Sequence, residues 1–520
     1  MRIAELKRAA EAALALLAAE PGIREAEVFA AANRSLVTRL NYTSHIPCNG
    51  VEEPKSTEMS GLGLQVVFES GADAGPLIGF GSEPSDFGEA GVRRALDKAR
   101  RSAVGDPEFR SLPRPNGEAR VLTDYRDPRL FAIDDAQLVE AGWKVIAGGL
   151  GAFTASSRLA ELAGTDDAEL RRIGLILGGD VIIRQESVAI ASSHMPRAQT
   201  DESAYMTSSA TAMVEAHEAK GSGWTTCTRL DDFTDEAGSE AAANAIAAIG
   251  GRRVPTGDYT VIFGRQPVAD LLNNLVLPAC HAGAFYASGT PFLGRLGRAV
   301  AVPELGIYDH GALPGLIGSK GITCEGLATG RTDLVKDGVL VGLLSHWYDS
   351  QRLLHDPRVA DKLGVDGPSA ARALVPRNGF RYDGGGRSFE RRPSTSACNV
   401  VIEGSRPVTF EELIREVKDG LYIGRIWYTY PINGLRAGDF TCTVVGDSFV
   451  IRDGRIAAPI RANAIRINDN ITRLLQSVVG ITKDVKGTKV WAADEVVYAP
   501  ELAVSGVHVD EIAGFMEGLL

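Results

Sequence analysis

Cysteine is scarce in this sequence, and the few cysteines stand apart from one another. The 520 residues include six, with no Cys-x-x-Cys pair among Cys48, Cys227, Cys280, Cys324, Cys398 and Cys442. So sparse a set excludes a small disulfide-stabilised scaffold. We therefore expect reduced thiols in a cytoplasmic protein.

Histidine is equally dispersed. The sequence has eight histidines, namely His45, His194, His217, His281, His310, His346, His355 and His508, and no two lie within one helical turn of each other. A zinc site on one helix needs such a pair, so we expect no metal bound by this chain. A set built from Cys280, His281, Asp309 and Glu325 is the alternative. The sequence also lacks a Gly-x-Ser-x-Gly nucleophile motif.

Long apolar runs and excess positive charge are absent as well. No window contains 18 uninterrupted apolar residues, so we expect no membrane-spanning helix. The formal net charge of −11 argues against a broad nucleic-acid-binding surface. Near the N-terminus, Glu5 and Glu11 interrupt the apolar residues, which predicts an amphipathic helix ending near Pro21 rather than a signal peptide.

The patterns that are present indicate an α+β fold. We predict an N-terminal α/β domain over residues 1–250, followed by a mostly antiparallel β domain over residues 251–520 with a central helix from Pro267 to about Cys280. Glycine is abundant, with 58 residues, as expected for a protein rich in turns and strands.

Three local patterns carry specific predictions. Residues 178–180 (GGD) suggest a hairpin turn between strands at 172–177 and 180–192. Residues 452–454 (RDG) suggest a second hairpin. The polar stretch 376–394, which contains three consecutive glycines, is expected to form a mobile loop.

The second half of the sequence carries a series of short motifs in a consistent order. They are 288–297 (SGTPFLGRLG), 305–309 (LGIYD), 324–326 (CEG), 336–340 (KDGVL), 393–399 (PSTSACN), 438–440 (GDF) and 453–456 (DGRI). Together they resemble the TldD/PmbA (TldD/TldE) family of peptidase-like proteins, with Cys324 as a departure from the family pattern.

The resemblance also defines what this chain does not have. Catalytic members of that family carry His-Glu-x-x-x-His on the central helix, where the histidines bind zinc and the Glu acts as general base. The corresponding residues 273–278 read NNLVLP, and the region 486–491 (KGTKVW), where the family has a cysteine ligand, contains none. The chain therefore resembles the PmbA/TldE branch.

This resemblance implies a non-catalytic subunit that forms a heterodimer with a zinc-bearing, TldD-like partner and acts on peptides or peptide-like substrates. No residue is assigned a catalytic role; the candidates for one are His281 and Glu325. Residues expected near the shared cleft or the partner are Asn273, Asn274, His281, Asp309, Glu325, Tyr42 and His45. The alternatives are an independent enzyme of specialised metabolism with different chemistry, and a purely structural or binding protein.

Overall fold

The computed structural model describes residues 2–46, 50–69, 75–116, 122, 126–164, 172–384 and 386–512. Its fold is α+β, as predicted. Within these residues, no helix has both the length and the hydrophobicity that a membrane span requires.

The first half of the chain builds one large sheet, antiparallel at every pairing in the described residues. Its order is β5-β4-β3-β1-β6-β7-β8, with β2 paired to β1. The strands are β1 (Ile23–Thr43), β2 (Gly50–Val51), β3 (Lys55–Phe68), β4 (Leu77–Pro84), β5 (Val104–Gly105), β6 (Leu175–Ser192), β7 (Gln199–Val214) and β8 (Ala219–Cys227).

Both faces of this sheet are covered, which explains the nearly continuous burial of β1. Val28 and Ala30 point toward helices on one face, whereas Phe29 and Ala31 pack on the other face against residues from the second half. Successive side chains of a strand point to opposite faces, so one strand serves two cores. The covering helices are Ile3–Ala19, Glu89–Arg101, Asp135–Thr154, Ser157–Ala163 and Glu236–Ala247.

The second half contributes two further large sheets. One has the order β19-β20-β23-β27-β9-β18-β21-β22, with β24 paired to β27. Its strands are β9 (Gly257–Phe263), β18 (Gly420–Ile423), β19 (Arg425–Pro431), β20 (Asp439–Gly446), β21 (Phe449–Arg452), β22 (Arg455–Pro459), β23 (Ile465–Asn470), β24 (Val478–Ile481) and β27 (Leu502–Glu511). Strand β19 lies at its edge.

The other sheet has the order β12-β11-β10-β17-β26-β25. Its strands are β10 (Leu305–His310), β11 (Arg331–Lys336), β12 (Val339–Leu340), β17 (Asn399–Gly404), β25 (Lys486–Thr488) and β26 (Val496–Ala499). Helices in this half span Arg265–Leu271, Leu277–Ala279, Ala282–Tyr286, Trp347–Leu354, Val359–Leu363, Gly367–Ala373, Phe410–Val417 and Ile471–Gln476. The domain boundary at residue 250 stays a prediction.

The central helix is present but is not a regular α-helix throughout. It begins as Arg265–Leu271, becomes a π-helix over Leu272–Val276, and ends with Leu277–Ala279. The N–H of Leu277 donates to the carbonyl of Leu272, five residues earlier. Pro278 has no N–H and cannot continue an α-helical ladder, which accounts for an irregularity just before it.

Two of the local predictions were wrong. Residues 178–180 form no turn, because β6 runs unbroken through them, paired to β1 on one side and to β7 on the other. The stretch 376–394 is not a mobile loop. It folds into two short strand pairs, β13 (Gly379–Phe380) with β16 (Ser394–Thr395) and β14 (Tyr382–Asp383) with β15 (Gly386–Arg387). Two of its arginines, Arg381 and Arg387, are buried by carboxylates of the first sheet, which the polar sequence did not indicate.

The hairpin at 452–454 is confirmed. Strands β21 and β22 pair across Asp453 and Gly454, whose φ angles are 49° and 68°. Two consecutive residues with positive φ match the twist of a two-residue hairpin, and Asp-Gly is a favoured sequence for it.

Candidate binding cleft and buried acidic cavity

A cleft of about 320 Å³ lies between the first sheet and the second half of the chain. Strands β6, β7 and β8 form one wall; Gln266, Arg425 and Trp427 stand opposite, together with the segment 488–491. Eight serine and threonine side chains line it: Thr207, Ser208, Ser209, Thr211, Ser222, Thr225, Thr226 and Thr488. Ser208 is 2% exposed, and its Oγ has no hydrogen-bond partner among the residues that the structure describes.

Aromatic rings and a cation also line this cleft. The ring centroids of Trp427 and Trp491 are 5.9 Å apart, and the side chain of Trp491 is 79% exposed. The Nζ of Lys489 lies 5.9 Å from the centroid of the Tyr205 ring. Large aromatics left in solvent beside a concave wall indicate a binding surface rather than a core.

The central helix is linked to this cleft through hydrogen bonds. Gln266, which lines the cleft, accepts from the N–H of Ile426 at 2.9 Å and donates to Asp270 Oδ2 at 3.3 Å. Asn274 Nδ2 donates to the carbonyl of Asp270 at 2.9 Å. Burial raises the pKa of Asp270. The side chain of Asn273 has neither a donor nor an acceptor partner in the protein.

The carboxamide side chains of Gln266, Asn273 and Asn274 do not fit zinc. Carboxamides are poor substitutes for the imidazole, thiolate and carboxylate donors that zinc prefers. Among the described residues, no three His, Cys, Asp or Glu side chains come together in a group that could hold a metal ion.

A second, separate cavity of about 280 Å³ contains Glu325. Glu27, Asp106, His346 and Arg392 also line it. Glu325 is 3% exposed, and its carboxyl accepts from the N–H of Trp347, the first residue of the helix Trp347–Leu354, at 3.0 Å. Burial raises the pKa of Glu325 to about 7, although the charge of His346 opposes the shift.

His346 belongs to a polar cluster at this cavity. Its Nδ1 lies 3.0 Å from Thr395 Oγ1 and 3.3 Å from Asp349 Oδ2. Burial disfavours the charged imidazole, but Asp349 and Glu325 together raise the pKa of His346. A histidine close to a carboxylic acid with a raised pKa is a common arrangement for acid–base chemistry.

His281 does not line either cavity. It caps the helix Ala282–Tyr286 and forms a bridge with Leu344. Burial lowers the pKa of His281 to about 4, with the charge of Asp349 opposing the shift. The imidazole is therefore neutral at physiological pH.

Asp309 lies in strand β10 and is 1% exposed. Its Oδ1 accepts from the N–H of Cys398 at 2.8 Å, and its Oδ2 accepts from Asn378 Nδ2 at 2.7 Å. Burial raises the pKa of Asp309 to about 7 against these hydrogen bonds. This geometry joins β10 to the segment before β17, so Asp309 organises the fold around it.

Tyr42 and His45 lie together on the first sheet, apart from both cavities. Tyr42 is in β1 opposite Leu177 and packs on the core beneath the helix Asp135–Thr154. His45 Nδ1 is 3.4 Å from Glu215 Oε2. Pro47, Cys48 and Asn49, which follow His45 closely in the sequence, are outside the described residues.

Sequence reasoning missed a buried charged network between the two halves. Lys320 Nζ lies 2.8 Å from Glu186 Oε2, and Arg387 also contacts this carboxylate. Burial opposes ionisation of Glu186, but the two cations hold its pKa well below its usual range. Arg381 forms an equally buried ion pair with Glu27. Isolated arginines in a polar stretch gave no sequence signal of these contacts.

Comparisons with known proteins agree with this fold. Residues 256–511 match the model of the PmbA/TldA metallopeptidase C-terminal domain. A protein named Metalloprotease PmbA from Escherichia coli O157:H7 is 24% identical over 271 residues, which is 52% of this chain and 50% of that protein. A Synechocystis protein named as a metalloprotease is 29% identical over 190 residues, covering 36% of this chain and 34% of its own length.

The chain thus matches about half or less of the length of these curated relatives. Over nearly its whole length it has the fold of TldE from Thermococcus kodakarensis, with a TM-score of 0.73, 18% identity, and coverage of 98% of this chain and 99% of that one. The order of motifs, the domain match and the shared fold lead to one assignment. The chain belongs to the PmbA/TldD family.

Proposed function

We propose that this chain is the metal-free, TldE-like subunit of a cytoplasmic, two-subunit zinc peptidase whose zinc is held by a TldD-like partner. The observation that carries the proposal is the chemistry at 273–278. Asn273, Asn274 and Pro278 stand where the catalytic branch of the family has its His, Glu and His. None of the three offers zinc a good ligand or water a general base.

The cleft supports a role with peptide substrates. Strand β19 forms the edge of its sheet and supplies Arg425 and Trp427 to the cleft. An edge strand presents unpaired backbone groups, to which an extended peptide adds as a further strand. This mode reads the main chain of a substrate and suits a peptidase that accepts varied sequences.

Exposed aromatic residues on the same strand support contact with another molecule. Tyr428 and Tyr430 are 68% and 55% exposed, and the pairing of β19 with β20 is irregular between Trp427 and Tyr430. Tyr428 has a φ of 57°, an uncommon conformation for a tyrosine. Such rings at an irregular edge are typical of an interface.

The test is reconstitution with a TldD-like protein from the same cell. We expect a 1:1 complex by native mass spectrometry, with zinc in the complex but not in this chain alone. Peptide hydrolysis should require both proteins. A partner variant with its zinc-binding histidines changed to alanine is the control, and it should assemble without hydrolysing peptides. Failure of the two intact proteins to associate would refute the proposal.

An independent enzyme is the second candidate, and the cavity of Glu325 and His346 is the observation that favours it. Glu325 and His346 both line this cavity. This candidate predicts turnover by the purified chain alone that is lost in Glu325→Ala. No turnover over a broad panel of small molecules and peptides would exclude it, and turnover that persists in the variant would exclude Glu325 from the chemistry.

A further inference from the structure

The cleft beside β19 has a charge opposite to that of the whole chain. Three cations line it, Arg184, Arg425 and Lys489, against one carboxylate, Asp180. The full sequence has a net charge of −11. A basic cleft in an acidic protein focuses a local positive potential, because low-dielectric walls concentrate the field of the charges inside it.

The carboxylates close to these cations neutralise them only in part. Asp180 lies 3.5 Å from Arg39, and burial raises the pKa of Asp180. Burial likewise raises the pKa of Asp447, next to Arg425, to about 6, and raises the pKa of Asp494, beside Lys489 and Arg184. Burial thus makes these carboxyl groups less acidic than exposed ones, while the guanidinium groups stay charged.

The cations have spare hydrogen-bonding capacity. Arg425 makes one long contact with a hydroxyl, from Nη1 to Thr211 Oγ1 at 3.5 Å. Lys489 Nζ donates to the backbone carbonyl of Asp494 at 2.8 Å. No described side chain accepts a hydrogen bond from Arg184. A guanidinium has five N–H donors, so most of this capacity remains for a ligand.

The neutral groups of the cleft suit the same kind of ligand. The Oγ of Ser208, which has no hydrogen-bond partner among the described residues, can donate to a carboxylate or carbonyl oxygen. Trp427 and Trp491 offer apolar faces beside these donors. Cations, hydroxyls and indole rings in one cleft would together bind acidic groups next to an aromatic or apolar side chain.

We propose that this cleft selects acidic peptides, with Arg184, Arg425 and Lys489 receiving carboxylates and Trp427 and Trp491 receiving a neighbouring aromatic side chain. This inference rests on the proposed peptide-binding role of the cleft and names its substrate class. It assigns Arg184 and Arg425 as specificity-determining residues, and no bond is made or broken by them.

Three fluorescein-labelled peptides test it, each with a central Phe flanked by two residues on either side that are all Glu, all Gln or all Lys. Binding to the purified chain is measured by fluorescence anisotropy at low and moderate salt. We expect the Glu peptide to bind about tenfold or more tightly than the Gln peptide, with a gap that shrinks as salt rises. The Lys peptide should bind most weakly.

Single variants of the cleft residues test which side chains cause the preference for the Glu peptide. Arg184→Gln and Arg425→Gln should each weaken the Glu peptide by roughly three- to tenfold and leave the Gln peptide unchanged. Arg455→Gln is the matched control, because Arg455 is an exposed arginine on β22, at the opposite end of the sheet from β19. Trp491→Ala should weaken both the Glu and the Gln peptides.

Equal affinity for the Glu and Gln peptides would overturn the inference, as would equal effects of Arg184→Gln and Arg455→Gln. The two proposals fail separately. Preferential binding of the Glu peptide by a chain that forms no complex with a TldD-like protein would leave this inference standing and refute the subunit role. An active complex that binds and cleaves the Gln peptide as well as the Glu peptide would leave the subunit role standing and refute this inference.

Discussion

Arg387 donates from Nη1 to Asp201 Oδ2 at 2.8 Å, and both side chains are closed off from solvent. The two residues are 186 positions apart in the chain. Asp201 lies on β7 of the first sheet, while Arg387 lies on β15 in the second half. This ion pair therefore ties the two halves together on the face of the sheet opposite the helices.

The first prediction concerns this ion pair. Arg387→Met removes the guanidinium that pairs with Asp201, while Glu186 keeps Lys320. Breaking a buried pair from one side costs about 3–5 kcal/mol. We expect the thermal midpoint in calorimetry to fall by several degrees.

Arg391→Met is the control for Arg387→Met. Arg391 is close in sequence, but its ion pair with Asp383 at 2.9 Å is exposed. Exposed pairs contribute about 0–1 kcal/mol, so this variant should melt close to the wild type. A similar midpoint for both variants would show that burial of Arg387 does not matter for stability.

The second prediction is a pH dependence centred on Asp309. Burial raises the pKa of Asp309 to about 7, above its ordinary value of 3.8. The folded protein thus holds this proton more tightly than the unfolded chain does. The resulting stabilisation is complete below about pH 4 and is lost as pH rises toward 7, with a size on the order of 4 kcal/mol.

Asp309→Asn should remove this part of the pH dependence. The Asn378 amide, whose Oδ1 has no partner, can turn to accept from the new Nδ2. Thermal midpoints of wild type and variant at pH 5 and pH 8 give the comparison. We expect the wild type to lose more stability than the variant between the two values. Parallel losses would mean that Asp309 is ionised in the folded protein throughout this range.

The third prediction concerns metal. Purified without chelator, the chain should contain zinc well below about a tenth of an equivalent, because 273–278 and 486–491 offer no imidazole, carboxylate or thiolate ligand. Metal content is read by mass spectrometry of the purified protein. A value near one equivalent would contradict the metal-free role.

A rebuilt motif sharpens the metal test. The triple variant Asn273→His, Asn274→Glu and Pro278→His restores the family's helix ligands and the N–H that Pro278 lacks. It should gain measurable zinc, whereas Asn273→His alone should gain little, since one imidazole does not make a site. Equal zinc in both variants would show that the helix does not present positions 273 and 278 to one ion.

Several features were predictable because their causes are local. The hairpin at Asp453 and Gly454 follows from the backbone preferences of two adjacent residues. The central helix followed from apolar spacing, and its irregularity coincides with Pro278, visible in the sequence. The family resemblance also came from short motifs in order along the chain.

Other features had no local cause. Gly178 and Gly179 are typical of turns, but two neighbouring strands hold them extended. Arg381 and Arg387 are typical of exposed loops, but carboxylates from β1, β6 and β7 bury them. The pKa values of Glu325 and Asp309 depend on burial, which no sequence pattern gives.

The sequence by itself therefore determined the α+β class, the family resemblance and the absence of histidine, glutamate and cysteine from residues 273–278 and 486–491, because residue identity and spacing suffice for each. Only the tertiary structure decided that the cleft joins β6, β7 and β8 to Arg425, Trp427 and Trp491, and that Glu325, rather than His281, faces a cavity. The physical reason is that a site's charge and depth depend on residues that are far apart in the sequence but close in the fold. Burial and ion pairing then change the pKa of each side chain.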